Sequence, residues 1–244
     1  MSTVEQPAFL DFFDQVRIIN LPSRADRRQE TESEFSAQGF PSPSARGQFF
    51  PAIAPVDAAG FPNRGVRGCY LSHLAILREA RDAGANRVLV LEDDIAFSRD
   101  IAHWGSQAVA LLADRAWDIA YFGHALPNAP GNPHWAAVDQ PMLLAHCYAV
   151  NGKTLDKLVA FLEAILMRPP GHPDGGPMHY DGALNTFIQQ NPDIEAVYFS
   201  KNLGYQRPSR TDLHRQSIID RNPLLRQFSG LYRALKRAYL KITT

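Results

Sequence analysis

The chain has 244 residues, of which 45% are hydrophobic and 20% charged, and its 25 basic side chains balance its 25 acidic ones. This composition excludes a disordered or collagen-like protein, and a chain of this length can bury about 70% of its unfolded surface. The two cysteines, Cys69 and Cys147, are too few for a disulfide framework. We expect both to be buried thiols in a reducing compartment.

The two ends of the chain carry different signals. The first residues lack the basic start and apolar run of a secretory signal, and no segment is apolar over the length of a membrane span. The sequence therefore predicts a cytoplasmic protein. Residues 215–244 contain seven basic residues and one acidic residue, which leaves the preceding part acidic. We expect a catalytic or binding domain over 1–214 and a basic tail over 215–244.

Apolar residues recur at helical spacing within that tail, between residues 222 and 244. A basic amphipathic helix of this kind can lie on the inner face of the cytoplasmic membrane, or it can pack on the domain. Nucleic acid is not an expected partner, because the body of the chain is acidic and the tail has no accompanying aromatic stacking surface.

Strand and helix patterns alternate along the chain. β-branched and apolar runs predict strands at 16–21, 49–50, 88–91, 117–122, 143–150 and 195–199. Helical spacing predicts helices at 23–38, 69–83, 101–113, 153–166 and 180–190. The loops 126–133 and 169–177 are rich in proline and glycine and have the composition of lids or of connectors. The alternation predicts an α/β fold with a largely parallel sheet.

Three carboxylates follow the apolar run Val88–Leu91 directly. Ligands of open α/β sheets bind at the carboxyl ends of strands, which is where Glu92, Asp93 and Asp94 should lie. Alternate side chains of an extended segment share a face, so Glu92 and Asp94 can point together while Asp93 turns away. Oxygen ligands of this kind suit Mg²⁺ or Mn²⁺. The alternative is a solvated acidic turn.

Two further segments carry polar side chains near predicted element ends. Asn20 and Leu21 end the first strand, and Arg24, Arg27 and Arg28 follow. Guanidinium groups bind phosphate bidentately, but on the residues alone a basic helix start paired with acidic neighbours is the favoured interpretation.

Ser72 and His73 lie close to the predicted start of the second helix, a position that attracts anions. Capping and packing are the alternative roles for this pair.

Taken together, these segments resemble glycosyltransferase family 25, the lipopolysaccharide-type and collagen-type galactosyltransferases. The resemblance covers about residues 15–214. It rests on Ile-Asn-Leu followed by Arg-x-Asp-Arg-Arg, on Gly-Cys-x-x-Ser-His, and on an apolar strand running into Glu-Asp-Asp. It also rests on a later Tyr-Asp and on a Gln…Ser-Arg-Thr-Asp-Leu stretch. The matching positions are 19–28, 68–73, 88–94, 180–181 and 206–213.

The resemblance implies a GT-A-like single domain with a mostly parallel mixed sheet flanked by helices. It also implies inverting transfer of a hexose, commonly galactose, from a UDP-sugar to a glycan acceptor, which could be lipid-linked. Mn²⁺ or Mg²⁺ would be held by Asp94 and Glu92, with Asp212 or His214 as a further ligand. The donor would contact the residues named above, which are Asn20, Leu21, Arg24, Arg27, Arg28, Ser72, His73, Glu92 and Asp93.

Asp181 is the expected base, with helix capping as its rival role. His124 and His146 are candidates for the acceptor side. Two other classes of function stay open at this point. One is a non-catalytic module that binds sugar nucleotides, and the other is a metal-dependent phosphoryl or nucleotidyl enzyme.

Overall fold

The computed structural model describes residues 8–207. Within this range a seven-stranded sheet lies between two layers of helices, and a two-stranded sheet stands beside it. The expected ligands Asp212 and His214 and the tail 215–244 lie outside the described residues.

The elements follow the predicted alternation. The strands are β1 (Gln15–Asn20), β2 (Phe49–Pro51), β3 (Arg87–Glu92), β4 (Ile95–Phe97), β5 (Ile119–Tyr121), β6 (Trp135–Ala137), β7 (Cys147–Asn151), β8 (Ala196–Phe199) and β9 (Gly204–Gln206). The helices are α1 (Ala25–Ala37), α2 (Arg64–Asp82), α3 (Ile101–Ala113), α4 (Leu155–Leu166) and α5 (Tyr180–Gln190). Short 3₁₀ helices cover Phe9–Phe12 and Gly152–Thr154.

The large sheet has the strand order β2-β1-β3-β7-β5-β8-β6. β7 and β6 pair antiparallel with their neighbours, and the other five strands run in one direction. The predicted α/β class with a mostly parallel mixed sheet is therefore confirmed. The carboxyl ends of β1, β3 and β5 consequently meet at one edge of the sheet, where the acidic triplet lies.

The apolar run of β3 is continuous because the strand is buried on both faces. Val88 and Val90 pack into the core under α2, α4 and α5, whereas Leu89 and Leu91 pack into the core under α1 and α3. All four side chains are fully buried. Sheets covered on both faces have such strands. The buried β3 therefore holds the residues that follow it in a fixed position.

Two features differ from the sequence-based expectation. Helix α2 begins at Arg64 rather than at Cys69, because the Asn63 side chain accepts the Val66 N–H at 2.9 Å and caps it. Ser72 and His73 therefore lie in the third turn of α2 and not at a helix start. The short strands β4, β6 and β9 were not predicted.

No helix within residues 8–207 has both the length and the apolar character needed to cross a bilayer.

The start of α2 is packed against the segment that precedes it. A Cβ on Gly68 would lie 2.5 Å from the Ile53 carbonyl oxygen. One turn later, the Ser72 hydroxyl accepts the Ile53 N–H at 2.8 Å and donates to the Gly68 carbonyl at 2.7 Å. The glycine and the serine of this motif thus hold the backbone near Ile53 against α2.

We predict that Gly68→Ala lowers the free energy of unfolding by about 1–3 kcal/mol, because backbone must move to admit the methyl group. Gly182→Ala in α5 is the matched control, since its Cβ would meet only the Met178 sulfur at an ordinary 3.5 Å. The control should be neutral or stabilise by up to about 1 kcal/mol. Urea unfolding measures both, and equal stability of the two variants would contradict the close packing at Gly68.

Candidate active site at the carboxyl edge of the sheet

The acidic triplet sits where two parallel strands end side by side. β1 and β3 are paired with Ile19 opposite Glu92, which places Asn20 next to Asp93. The Asp93 N–H donates to the Ile19 carbonyl at 3.1 Å and extends this pairing by one residue. The position of the triplet therefore follows directly from the register of β1 and β3.

Asp93 is the carboxylate of the triplet that has full protein partners. Arg27 Nη1 donates to its Oδ1 at 2.8 Å, and Asn20 Nδ2 donates to its Oδ2 at 2.8 Å. Its backbone carbonyl accepts the Thr31 hydroxyl at 2.9 Å and Arg207 Nη2 at 2.6 Å. These contacts connect α1 and the chain after β9 to the end of β3. Both carboxylate oxygens of Asp93 are therefore occupied by protein partners.

Asp94 has a different environment. The residue is only 2% exposed, and its Oδ1 has no hydrogen-bond partner among residues 8–207. Arg27 Nη1 is 4.0 Å from its Oδ2. Burial, and next the charge of Glu92, raise the pKa of Asp94 from 3.8 to about 7. A buried carboxyl that lacks partners is costly, so this position favours a proton or a cation.

Glu92 is the carboxyl two residues before Asp94, and it is partly buried. Burial raises its pKa, the Asp93 charge adds to this, and the charge of a protonated His146 would oppose it. Asp94 thus has an oxygen without a hydrogen-bond partner, and Glu92 beside it has a raised pKa. This pair suits a hard divalent cation such as Mg²⁺ or Mn²⁺, which prefers oxygen ligands. Of the expected metal ligands, Asp94 and Glu92 are thus near one another.

His73 contacts Glu92 from α2. Its Nε2 is 3.5 Å from Glu92 Oε1, its Nδ1 is 3.1 Å from the Tyr148 hydroxyl, and its ring stacks on Tyr180 at 4.0 Å. The Tyr148 and Tyr180 hydroxyls are 2.8 Å apart. Burial lowers the pKa of His73 from 6.5 to about 3, so the ring is neutral at physiological pH. His73 therefore lies behind Glu92 as an uncharged, rigidly held side chain.

Asp181 is the second residue of α5, and His179 is the N-cap of that helix. Its Oδ1 accepts the Gly182 N–H at 2.8 Å, and its Oδ2 accepts the Leu144 N–H at 3.2 Å. Leu144 has a positive φ of 73°, a conformation that this bond helps to hold. The charge of Asp181 acts on both His73 and Glu92, which places it in the same site.

The remaining expected donor contacts are spread over different environments. Arg24 forms a two-pronged ion pair with Asp26, at 2.9 and 2.8 Å. Arg28 lies over the Phe49 ring at 4.4 Å and donates to Ser44, which turns it towards β2. Leu21 is partly buried after β1, and its carbonyl accepts the Arg24 N–H at 2.8 Å.

Ser72 is fully buried, and its hydroxyl bonds the backbone of α2 and of the preceding segment, as described above. Its contacts are those of a structural side chain. Arg28 and Ser72 thus have local partners away from the acidic edge, whereas Asn20 and Arg27 contact the acidic triplet directly.

A pocket of about 290 Å³ lies near the end of β3, since the carbonyl of His146, a wall residue, accepts the Glu92 N–H at 3.0 Å. Its walls combine apolar and polar side chains, and they are His124, Ala125, Leu126, Leu144, His146, Asn202, Tyr205 and Gln206. The His124 and His146 rings are anchored to the carbonyls of Phe199 and Gly204, at 2.9 and 2.8 Å. Because Leu144 also donates to Asp181, the pocket and that carboxylate are adjacent.

Three residues of this site were not expected from the sequence. Cys69 lies next to His73 and Glu92, Tyr148 bonds His73, and Arg207 bonds Asp93. The four-residue spacing of Cys69 and His73, which puts both on one face of a helix, was the one signal in the sequence.

Part of the chain matches the model of a known protein family. Residues 63–122, which include the start of α2, β3 and the acidic triplet, match the model of "Glycosyltransferase family 25 (LPS biosynthesis protein)". The resemblance to glycosyltransferase family 25 that the motifs predicted is therefore confirmed.

Curated proteins similar to this chain also carry glycosyltransferase names, at low sequence identity. The lacto-N-neotetraose biosynthesis glycosyltransferase LgtB of Neisseria meningitidis is 24% identical over 64% of this chain and 63% of its own length. The inactive glycosyltransferase 25 family member 3 of Mus musculus is 28% identical over 48% of this chain and 23% of its own length. The chain thus spans less than two thirds of the relatives it matches.

The chain also aligns with the crystal structure of a glycosyltransferase involved in the glycosylation of the major capsid of PBCV-1. The alignment covers 81% of this chain and 94% of that one. The identity is 11% and the TM-score is 0.48.

The contrast between Asp93 and Asp94 predicts opposite effects of the same substitution. In EDTA at pH 8, Asp94→Asn should raise the free energy of unfolding by a few kcal/mol, because it removes a charge that folding buries without a partner. The unfolded pKa is near 3.8 and the folded pKa about 7. The penalty is therefore absent below about pH 4, grows as pH rises between these values and is complete above pH 7.

Asp93→Asn is the matched control, and it should lower the free energy of unfolding by about 3 kcal/mol because it breaks the buried ion pair with Arg27. Urea unfolding of the three proteins between pH 4 and 8 measures both effects. A destabilised Asp94→Asn protein at pH 8 would contradict this assignment of paired and unpaired carboxylates.

Proposed function

We propose that this chain is an inverting glycosyltransferase that moves a hexose, with galactose favoured, from a UDP-sugar to a hydroxyl of a glycan acceptor. We further propose that it depends on Mn²⁺ or Mg²⁺ and serves the synthesis of lipopolysaccharide or another cell-surface glycan. The observation that carries the proposal is the pair of carboxyls at the end of β3, Glu92 and Asp94. Asp94 Oδ1 is buried with no hydrogen-bond partner among residues 8–207, and the segment matches the model of glycosyltransferase family 25.

The donor is proposed to bind at the ends of β1 and β3. Asp94 and Glu92 would hold the cation, which when bound neutralises the charge that builds on the leaving diphosphate. Arg27 is fixed by Asp93 and would supply positive potential next to those phosphates. Arg24, which lies at the exposed rim with Asp26, would add a guanidinium contact by exchanging partners.

The acceptor is proposed to enter the pocket of about 290 Å³ that Leu144 and Tyr205 help to line. Apolar walls with a few fixed polar groups are typical of small-molecule sites. Asp181 would accept the proton of the acceptor hydroxyl as that oxygen attacks the anomeric carbon and the UDP leaves. The two backbone N–H groups that bond Asp181 would hold its carboxylate at the pocket wall.

A second candidate is a module of the same fold that binds a sugar nucleotide without turnover. The observation that favours it is that relatives of similar identity include inactive members of family 25 from Mus musculus and Homo sapiens. The two candidates share the donor site and differ in whether Asp181 acts as a base.

The test is Asp181→Asn, which keeps the size of the side chain and removes the base. We predict that this variant binds the UDP-sugar as well as the unmodified protein does and loses about 10²–10⁴-fold in the rate of transfer. Asp114→Asn, an exposed carboxylate just after α3, is the control and should behave as the unmodified protein.

Release of UDP in the presence of Mn²⁺ and a galactose-accepting glycan measures the rate, and calorimetry measures donor binding. Near-normal turnover of Asp181→Asn would remove it as the base. Donor binding without transfer by the unmodified protein on every acceptor tried would favour the non-catalytic candidate.

A further inference from the structure

A group of three possible metal ligands that includes sulfur and nitrogen lies next to the acidic pair. Cys69 and His73 are four residues apart on α2 and share one face of the helix, and Glu92 at the end of β3 faces them. One ligand atom from each of the three residues lies within 4.8 Å of the other two. Those distances allow a single ion to contact all three side chains after small rotamer changes.

The imidazole of His73 supplies an independent sign of a missing partner. The side chain is 0% exposed, and its Nε2 has no hydrogen-bond partner among residues 8–207 although it is aimed at Glu92. A buried nitrogen without a partner is energetically unfavourable. The other ring nitrogen, Nδ1, contacts the Tyr148 hydroxyl, and when Nδ1 donates there the Nε2 lone pair points towards the group. A second ring nitrogen held by a hydrogen bond is the usual arrangement of a metal-ligating histidine.

We propose that Cys69 Sγ, His73 Nε2 and the Glu92 carboxylate bind a zinc-class divalent ion. Zinc accepts sulfur, nitrogen and oxygen ligands together, whereas Mg²⁺ prefers oxygen alone. Binding converts the Cys69 thiol to a thiolate and releases one proton to solvent. Cys69 and Glu92 are not completely buried, which gives an ion a route to the group. Three protein ligands leave a fourth position open, as in zinc sites that exchange their fourth ligand.

Glu92 belongs both to this group and to the proposed hard-cation site with Asp94. An ion of the zinc class at Cys69 and His73 would therefore compete with Mn²⁺ or Mg²⁺ for that carboxylate. The test of zinc binding does not depend on the proposed transfer reaction, because its readouts do not involve turnover.

The test is titration of the full chain with Co²⁺, a spectroscopic substitute for zinc. A thiolate ligand gives a sulfur-to-cobalt charge-transfer absorption in the near ultraviolet, and a four-coordinate site gives intense visible bands. The two cysteines of the chain allow a matched pair, Cys69→Ala and Cys147→Ala, since Cys147 is buried in β7 outside the group. Circular dichroism checks that each variant is folded.

We predict the charge-transfer band in the unmodified protein and in Cys147→Ala, and its loss in Cys69→Ala. We also predict that Zn²⁺ affinity, measured against a chromophoric chelator, falls at least about tenfold in Cys69→Ala. A band that is absent from the unmodified protein, or that persists in Cys69→Ala, would overturn the proposal.

Zinc X-ray absorption on the unmodified protein and on Cys147→Ala keeps the test decisive if Cys69→Ala does not fold. One sulfur at about 2.3 Å in both proteins is expected. A shell of nitrogen and oxygen only would overturn the proposal.

Discussion

The site depends on the ion pair between Arg27 and Asp93. This pair joins the first turns of α1 to the end of β3, and Asn20 completes the pairing of the carboxylate from β1. Because the Asp93 carbonyl also accepts Thr31 and Arg207, the turn that follows β3 is fixed from several sides. A buried ion pair with its hydrogen bonds satisfied is costly to break, so this turn is a rigid support.

The same pairing leaves the neighbouring Asp94 with weaker support from Arg27. Arg27 contacts Asp93 at 2.8 Å and Asp94 only at 4.0 Å. Asp94 is buried and Glu92 is partly buried, and desolvation raises the pKa of both carboxyls. We propose that a divalent cation bound at this edge relieves the repulsion between the carboxylates.

Much of the fold could be predicted because its signals are local. β3 was evident from an apolar run that both cores bury, and strict alternation placed Asp93 on the opposite side from Glu92. The start of α2 was missed because Gly65 and Gly68 lower its helix propensity, and Gly68 is required by the close approach of Ile53. The pairing of β4 with β9 was missed for a different reason, since strands of three residues that pair across the chain carry no local pattern.

The site was predictable only in part. The acidic triplet could be placed from β3 alone, but the approach of Cys69 to Glu92 depends on how α2 packs on the sheet. Asp181 reaches the same edge through a turn at Leu144 whose positive φ has no sequence signal such as glycine.

The most direct test is calorimetric titration of UDP-galactose into the unmodified protein and into Asp94→Asn, each with Mn²⁺ and with EDTA. We predict binding to the unmodified protein that requires Mn²⁺, and a loss of at least about tenfold in affinity for Asp94→Asn, since it removes a cation ligand. Equal affinity of the two folded proteins in Mn²⁺, or binding that is unchanged by EDTA, would contradict the cation-assisted donor site.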